Sequence, residues 1–96
     1  MATSSDKFKT VRAQNLIDIG MPRAVLWNTN LSKEVDSQAF IVSTLIKAYN
    51  DFVIEKLVAY FGTDIVFESL NTYRDRVSEK LKNHVHIYIN DRYLSA

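Results

Sequence analysis

Residues 45–62 read LIKAYNDFVIEKLVAYFG. They contain the end of one amphipathic helix pattern and the whole of a second one, separated by a two-residue polar break at Asn50 and Asp51. Asparagine and aspartate are favoured N-caps, so the break predicts that the second helix begins there. Gly62 closes that helix, because glycine readily adopts the left-handed conformation that follows many helix ends. The helical signals extend outward over residues 32–73 and predict an all-α fold.

The apolar residues outside this stretch repeat at the spacing of further helices. We predict an all-α fold, a small bundle of four to five helices with an extended N-terminal arm. The second helix is apolar over more than half of its circumference, which predicts that it is central and covered on two sides. Residues 85–89 alternate as a strand would, but we assign them to the last helix. The predicted N-caps, in chain order, are Asp36 or Ser37, Asn50 or Asp51, Thr63, and Asp75.

The chain before this bundle carries weaker signals. We expect residues 1–22 to form an N-terminal arm that is flexible or partly helical, and residues 23–96 to form the helical domain. Turn formers bound the segment 23–30, which predicts an extended stretch or a tight turn. This segment contains the single tryptophan, Trp27. Trp27 is either buried at one end of the core or exposed as an anchor that contacts a partner.

The composition restricts the classes of protein to which the chain can belong. Ninety-six residues with a net charge of +1 suit one domain, whose overall charge is too small to attract nucleic acid or an anionic membrane. The absence of cysteine excludes disulfides and thiol catalysis. The polar start has no signal-peptide pattern, and no apolar run approaches the roughly 18–20 residues of a membrane span. We therefore expect a cytoplasmic protein that does not bind membranes.

No arrangement of residues predicts catalysis, a bound metal or another cofactor. His84 and His86 are two residues apart and diverge by about 200° on a helix, and Asp91 is the one nearby carboxylate. Two isolated glycines cannot form a phosphate-binding loop, and no serine lies in a nucleophile elbow. We therefore expect a protein that is not an enzyme. The carboxylates at i,i+4 spacing are interpreted as solvated helix charges: Asp51 with Glu55, and Asp64 with Glu68.

Basic residues near the end of the chain make DNA binding an alternative. Residues 74–96 carry five basic and three acidic side chains, and the interleaved acidic residues cancel part of the charge that would attract phosphates. A helix-turn-helix at residues 51–73 is disfavoured, because Asp64 and Glu68 would lie against the DNA backbone. The candidate nucleic-acid-binding residues, in the last helix and just before it, are Arg74, Arg76, Lys80 and Lys82.

Three segments carry a likeness to a known family. They are LWNTN at 26–30, the helix end LIKAY at 45–49, and the helix of residues 52–62 with Ile65 after it. With them, the chain resembles a small uncharacterised bacterial helical family over roughly residues 23–89. Members of that family show an apolar-Trp-Asp segment, helices that end near Tyr-Gly or Phe-Gly, and a basic last helix.

The resemblance implies a role as an antitoxin or regulator, because many members of the family are encoded beside nucleotidyltransferase toxins of the abortive-infection class. This chain departs from the family at two positions. Asn28 stands where the family usually has aspartate, which removes any role that needs a carboxylate there. Asn50 stands where glycine is common, a mild change because asparagine tolerates the left-handed conformation.

We expect a non-enzymatic, antitoxin-like protein-binding module of bacterial defence. It would neutralise or regulate a partner toxin of nucleotidyltransferase or nuclease type by steric occlusion. Residues 34–68 carry six acidic and two basic side chains, a net charge of −4, which suits a basic cleft on the partner. A second alternative is a homo-oligomeric structural subunit, because five tyrosines and five phenylalanines exceed what a core of this size has to bury. The expected partner-binding residues are Trp27, Glu55, Asp64 and Glu68.

Overall fold

The computed structural model describes residues 9–26 and 30–94. Within these residues, five α-helices surround one core, and the strand content is limited to two strands of three residues each. The predicted all-α bundle of four to five helices is confirmed. In chain order the elements are β1 (Thr10–Arg12), α1 (Ala13–Asp18), a 3₁₀ turn (Arg23–Leu26), β2 (Glu34–Asp36), α2 (Ser37–Lys47), α3 (Asp51–Phe61), α4 (Thr63–Thr72), α5 (Glu79–Ile89) and a π-helical turn (Asn90–Leu94).

The core is built around α3. Its residues Val53, Ile54 and Leu57 are fully buried, and α3 packs against α1, α2 and α4. Each aliphatic side chain of this kind contributes roughly 1.5–3 kcal/mol when it leaves water. The other helices add buried apolar side chains to the same core: Leu16 of α1; Phe40, Ile41 and Leu45 of α2; Val66 and Leu70 of α4; and Leu81, Val85 and Ile89 of α5.

The described part of the predicted arm belongs to this core. β1 pairs antiparallel with β2, so that Val11 lies opposite Val35. Val11 and the α1 residue Leu16 are buried among the core side chains. The boundary predicted at residue 22 therefore does not separate two packing units. Residues 1–8 of the predicted arm lie outside the described part of the chain.

Two of the predicted N-caps are confirmed. Asp36 ends β2 and caps α2, because its Oδ2 accepts a hydrogen bond from the Ala39 N–H at 2.9 Å. Asn50 caps α3, because its Oδ1 accepts a hydrogen bond from the Val53 N–H at 3.0 Å. Both side chains satisfy first-turn N–H groups that have no partner within the helix. The polar break therefore fixes where α3 begins and places Asp51 at its first position.

The junction between α3 and α4 turns at Gly62 alone. Gly62 has a φ of 91° and a ψ of 158°, so the predicted left-handed helical conformation is wrong. The positive φ still requires glycine, because this combination of φ and ψ is essentially restricted to that residue. The Gly62 N–H donates to the Val58 carbonyl oxygen at 2.8 Å and ends α3. The predicted cap at Thr63 is wrong, because Thr63 is already the first residue of α4 and Gly62 occupies the cap position without a side-chain hydrogen bond.

The predicted cap at Asp75 is also wrong. Residues 73–77 form a turn, and α5 begins after Ser78, whose Oγ accepts a hydrogen bond from the Leu81 N–H at 3.1 Å. Aspartate and serine are both good capping residues, so the local sequence allows either start. Val77 precedes the helix and is half-buried.

Alanine substitutions at these two positions test where α5 begins. Ser78→Ala removes the acceptor for a first-turn N–H and is expected to lower the free energy of unfolding by about 0.5–2 kcal/mol. Asp75→Ala is expected to change it by less than about 0.5 kcal/mol, because Asp75 is exposed in the turn. Urea unfolding followed by circular dichroism measures both values. A larger loss at Asp75 than at Ser78 would contradict this helix start.

The structure assigns the secondary structure of two segments for which the sequence allowed more than one conformation. Residues 85–89 are helical to the end of α5, as we assigned them. The tight turn expected within residues 23–30 is present as the 3₁₀ turn over Arg23–Leu26. Beyond it, the Asn30 Oδ1 accepts a hydrogen bond from the Ser32 N–H at 3.1 Å, as expected for an asparagine that nucleates a turn.

Candidate functional site

Asp51 and His84 form a hydrogen bond between two helices that are distant in sequence. Asp51 begins α3 and His84 lies in the middle of α5, and the His84 Nε2–H donates to the Asp51 Oδ1 at 3.1 Å across 33 residues of chain. A carboxylate acceptor requires the proton on Nε2, so in the neutral imidazole Nδ1 is the acceptor nitrogen. The Tyr49 ring makes a T-shaped contact with the imidazole, with centroids 5.4 Å apart.

This pair separates two open grooves. The groove on the Phe52 side has a volume of about 650 Å³, and the groove on the Ile87 side has a volume of about 390 Å³. Both grooves are open to solvent, and the side chains of His84 and Asp51 are 43% and 64% exposed. We name this surface the α3–α5 face, and it is lined by Tyr49, Asn50, Asp51, Phe52, His84, Ile87, Tyr88, Asp91 and Arg92.

Large apolar side chains are exposed on the α3–α5 face. Phe52 is 48% exposed and Ile87 is 66% exposed, one on each side of the hydrogen-bonded pair. Tyr93, in the turn after α5, extends the surface through a ring contact with Tyr88 whose centroids are 6.2 Å apart. Single exposed apolar residues are ordinary, but exposed apolar side chains that lie together with polar groups beside them are typical of an interaction site.

The charge of this surface is slightly acidic, because Asp51, Glu55 and Asp91 are opposed by Arg92 and by Lys56, whose Nζ lies 5.0 Å from the centroid of the Phe52 ring. Asp51 and Asp91 line its grooves, and Glu55 borders it one turn after Asp51, with its carboxylate 3.9 Å from the Arg92 guanidinium. Partial burial raises the pKa of the Tyr93 phenol above its ordinary 10.0, and the Glu55 carboxylate also raises this pKa. Tyr93 is therefore neutral near pH 7 and adds no charge to the α3–α5 face.

The α3–α5 face has the chemistry of a docking surface. Its polar pair can orient a partner by hydrogen bonds, while Phe52 and Ile87 supply apolar area. Asp51 and His84 are open to water and lack the desolvated setting in which catalytic acids and bases usually act. In the part of the chain that the structure describes, no group of three or more histidines, aspartates or glutamates is placed to hold a metal ion.

The predicted partner-binding residues fall in different places. Glu55 borders the α3–α5 face, whereas Asp64 and Glu68 are exposed on α4 and are not among the residues that line this face. Trp27 lies outside the described residues. The interpretation of Asp51 and Glu55 as solvated helix charges is incomplete. Asp51 is exposed and Glu55 is half-buried, and each has a partner on α5 or on the turn after it.

The four candidate nucleic-acid-binding residues are divided between a groove and the open surface. Arg74 and Lys82 line a groove of about 560 Å³ between α4 and α5. The Arg76 guanidinium lies 5.8 Å from the centroid of the Tyr73 ring, and Lys80 is exposed in the first turn of α5. We name the basic depression the α4–α5 groove, and it is lined by Phe67, Leu70, Asn71, Arg74, Lys82, Asn83 and His86.

The two histidines belong to different surfaces, as their spacing on a helix predicts. His84 lines the α3–α5 face, and His86 lines the α4–α5 groove. Nothing local in the sequence predicts the contact of His84 with Asp51. Only the packing of α5 beside the start of α3 brings these two side chains together.

No helix in the described part of the chain combines the length and the apolar character needed to cross a membrane. Comparisons of the chain with protein-family models, with curated proteins and with solved structures give no match.

Proposed function

We propose that this protein is a cytoplasmic, non-enzymatic binding module with an antitoxin-like role. It docks through the α3–α5 face onto a toxin of nucleotidyltransferase or nuclease type, and it neutralises or regulates that partner by covering the partner's active site. The observation that carries the proposal is the pair of exposed apolar side chains, Phe52 and Ile87, on either side of the Asp51–His84 hydrogen bond.

Phe52 and Ile87 are suited to the centre of an interface. Each extends from a helix whose opposite side is anchored in the core, through Ile54 in α3 and Val85 in α5. A surface on anchored helices loses little conformational entropy when it binds, so most of the energy of apolar burial remains as affinity. The Asp51–His84 pair between these two side chains would be covered together with them, and its polar atoms would fix the orientation of the partner.

The charge of the surface favours a partner with a basic cleft. Asp51, Glu55 and Asp91 lie on or beside the α3–α5 face, and the first two belong to the acidic stretch of residues 34–68. Enzymes that bind nucleotides or nucleic acids concentrate positive charge where the phosphates bind. The resemblance to a family encoded beside nucleotidyltransferase toxins supports the same class of partner.

Affinity purification from the native cells tests this proposal. The tagged protein is expected to recover a nucleotidyltransferase or a nuclease, and Ile87→Asp is expected to reduce that recovery by at least about tenfold, because the new carboxylate would have to be desolvated in the interface. The matched control is Ile46→Asp. Ile46 is 47% exposed on α2 and does not line the α3–α5 face, so its variant is expected to recover as much partner as the wild type.

Thermal unfolding followed by circular dichroism establishes that both variants are folded. Recovery of the partner that is unaffected by Ile87→Asp would contradict the proposal. Recovery of DNA alone would favour the regulator alternative, and recovery of a second copy alone would favour the structural subunit. Either of these two results would also contradict the proposal.

A further inference from the structure

The α4–α5 groove differs from the α3–α5 face in charge. Arg74 and Lys82 give it two permanent positive charges, and none of the seven described residues that line it is acidic. Glu79 approaches the Lys82 ammonium to 3.5 Å, but the Glu79 side chain is 80% exposed and water screens the pair. The groove is therefore a local basic depression on a protein whose net charge is only +1.

A flat aromatic stack forms part of the groove. The Phe67 ring of α4 and the His86 ring of α5 lie nearly parallel, with centroids 4.6 Å apart and an interplanar angle of 13°. Both residues are half-buried, and each ring covers one face of the other, so a further ring can stack only on an outer face of this pair. Aromatic surface beside basic groups is the arrangement on which nucleobases stack, with little preference among the bases.

Two amides complete the lining of the groove. Asn71 and Asn83 are exposed, one on each of the two helices. Each amide carries both a donor and an acceptor, which is the combination that pairs with the edge of a base. The groove thus brings together groups for a phosphate, for the face of a base and for the edge of a base.

We propose that the α4–α5 groove binds a nucleotide, with its phosphate on Arg74 and Lys82 and its base against the Phe67–His86 stack. The groove volume of about 560 Å³ lies within the roughly 300–1,000 Å³ typical of small-ligand sites. A free mononucleotide and one unit of a single-stranded nucleic acid present the same chemistry. The α4–α5 groove lies on a different side of α5 from His84, so nucleotide binding there does not depend on the proposed docking of a protein partner.

An NMR titration of the full chain with adenosine monophosphate, inorganic phosphate and a single-stranded oligothymidylate tests this inference. Adenosine monophosphate is expected to shift the amide signals of Asn71, Asn83 and His86. It is also expected to bind at least about fivefold more tightly than inorganic phosphate, because stacking of the base adds to the phosphate contacts.

Charge variants locate the phosphate. Arg74→Gln and Lys82→Gln are each expected to weaken the binding of adenosine monophosphate by about tenfold, because each removes a charge-assisted hydrogen bond. Lys80→Gln removes the same charge outside the groove and is expected to weaken it by less than about twofold, since an exposed charge at a distance is screened. All three side chains belong to the surface, and the spectrum of each variant reports that it is folded.

A ring variant locates the base. Phe67→Leu keeps an apolar side chain but removes the aromatic face. It is expected to weaken the binding of adenosine monophosphate to the level of inorganic phosphate, and to leave the binding of inorganic phosphate unchanged. A loss of both affinities would instead indicate that the groove had changed shape, and the base would not be assigned to the stack.

Comparison of oligothymidylate with adenosine monophosphate distinguishes a site for nucleic acid from a site for a free nucleotide. Tighter binding of oligothymidylate than of adenosine monophosphate, with the same dependence on Arg74, identifies nucleic acid, and equal or weaker binding identifies a free nucleotide. The inference is overturned if neither probe shifts the groove signals, or if inorganic phosphate binds as tightly as adenosine monophosphate. It is also overturned if Lys80→Gln weakens binding as much as Arg74→Gln.

Discussion

Replacing Leu16 by alanine is expected to lower the free energy of unfolding by about 2–5 kcal/mol, as much as the same replacement at Leu57. Leu16 lies in α1 and Leu57 lies in the central helix α3, and both side chains have an exposed fraction of 0%. Truncation removes apolar contacts and leaves a cavity that the surrounding side chains fill only in part. Equilibrium unfolding in urea, followed by circular dichroism, measures both losses.

The comparison of Leu16 with Leu57 tests whether the segment before residue 22 is an integral part of the bundle. If this segment stood apart from the core, Leu16→Ala would change the free energy of unfolding by less than about 0.5 kcal/mol, while Leu57→Ala would keep its full effect. Ile19→Ala is the matched control within the same segment. Ile19 is 38% exposed, so its truncation is expected to have little effect in either case.

Replacing Gly62 by alanine is expected to lower the free energy of unfolding by about 1–3 kcal/mol. Gly62 joins α3 to α4 with a φ of 91° and a ψ of 158°, a region that side chains of L-residues essentially exclude. A Cβ atom at this position would have no heavy atom within 4 Å other than its own chain neighbours. The expected loss is therefore backbone strain and not a clash. Urea unfolding of the variant measures it.

A D-alanine at position 62, introduced by chemical synthesis, is the matched control. D-alanine adds the same methyl group but favours positive φ. It is therefore expected to leave the free energy of unfolding unchanged or to raise it by about 0.4–1 kcal/mol, because it has less conformational freedom than glycine in the unfolded chain. Equal losses for L-alanine and D-alanine would show that the methyl group itself disturbs the junction, and the explanation from backbone strain would be wrong.

The parts of the fold that the sequence predicts well are set by local chemistry. Asp36 and Asn50 cap helices because an acceptor stands three residues before a first-turn N–H, and this relation is visible in the sequence. The start of α5 was predicted three residues too early, at Asp75, because Asp75 and Ser78 are both suitable caps and only the packing of the helix selects Ser78. The pairing of β1 with β2 was not predicted, because strands of three residues are too short to show an alternating pattern.

The candidate site was predicted only in part, because it depends on contacts between helices. The helical spacing of His84 and His86 predicts that they diverge, and they do. The partner of His84 is Asp51, 33 residues earlier, and no pattern along one helix indicates which helix start it meets. Arg74 and Lys82 were recognised as basic candidates, but the sequence does not show that they share a groove with Phe67.

Helix α5 connects the fold to both proposed binding activities. Leu81, Val85 and Ile89 bury one stripe of this helix in the core. The side chains on either side of that stripe are left for binding, with His84 and Ile87 on the α3–α5 face and Lys82 on the α4–α5 groove. One amphipathic helix thereby contributes to the α3–α5 face on one side and to the basic groove on the other.

The most direct test of the central claim is photo-cross-linking from position 87 in the native cells. A photoreactive phenylalanine derivative replaces Ile87 in one variant and Ile46 in the control. Our account predicts a cross-linked product with a nucleotidyltransferase or a nuclease from position 87, and little or none from position 46. Cross-links from position 87 only to a second copy of the chain, equal yields from both positions, or no cross-link at all would contradict the claim that the α3–α5 face covers such a partner.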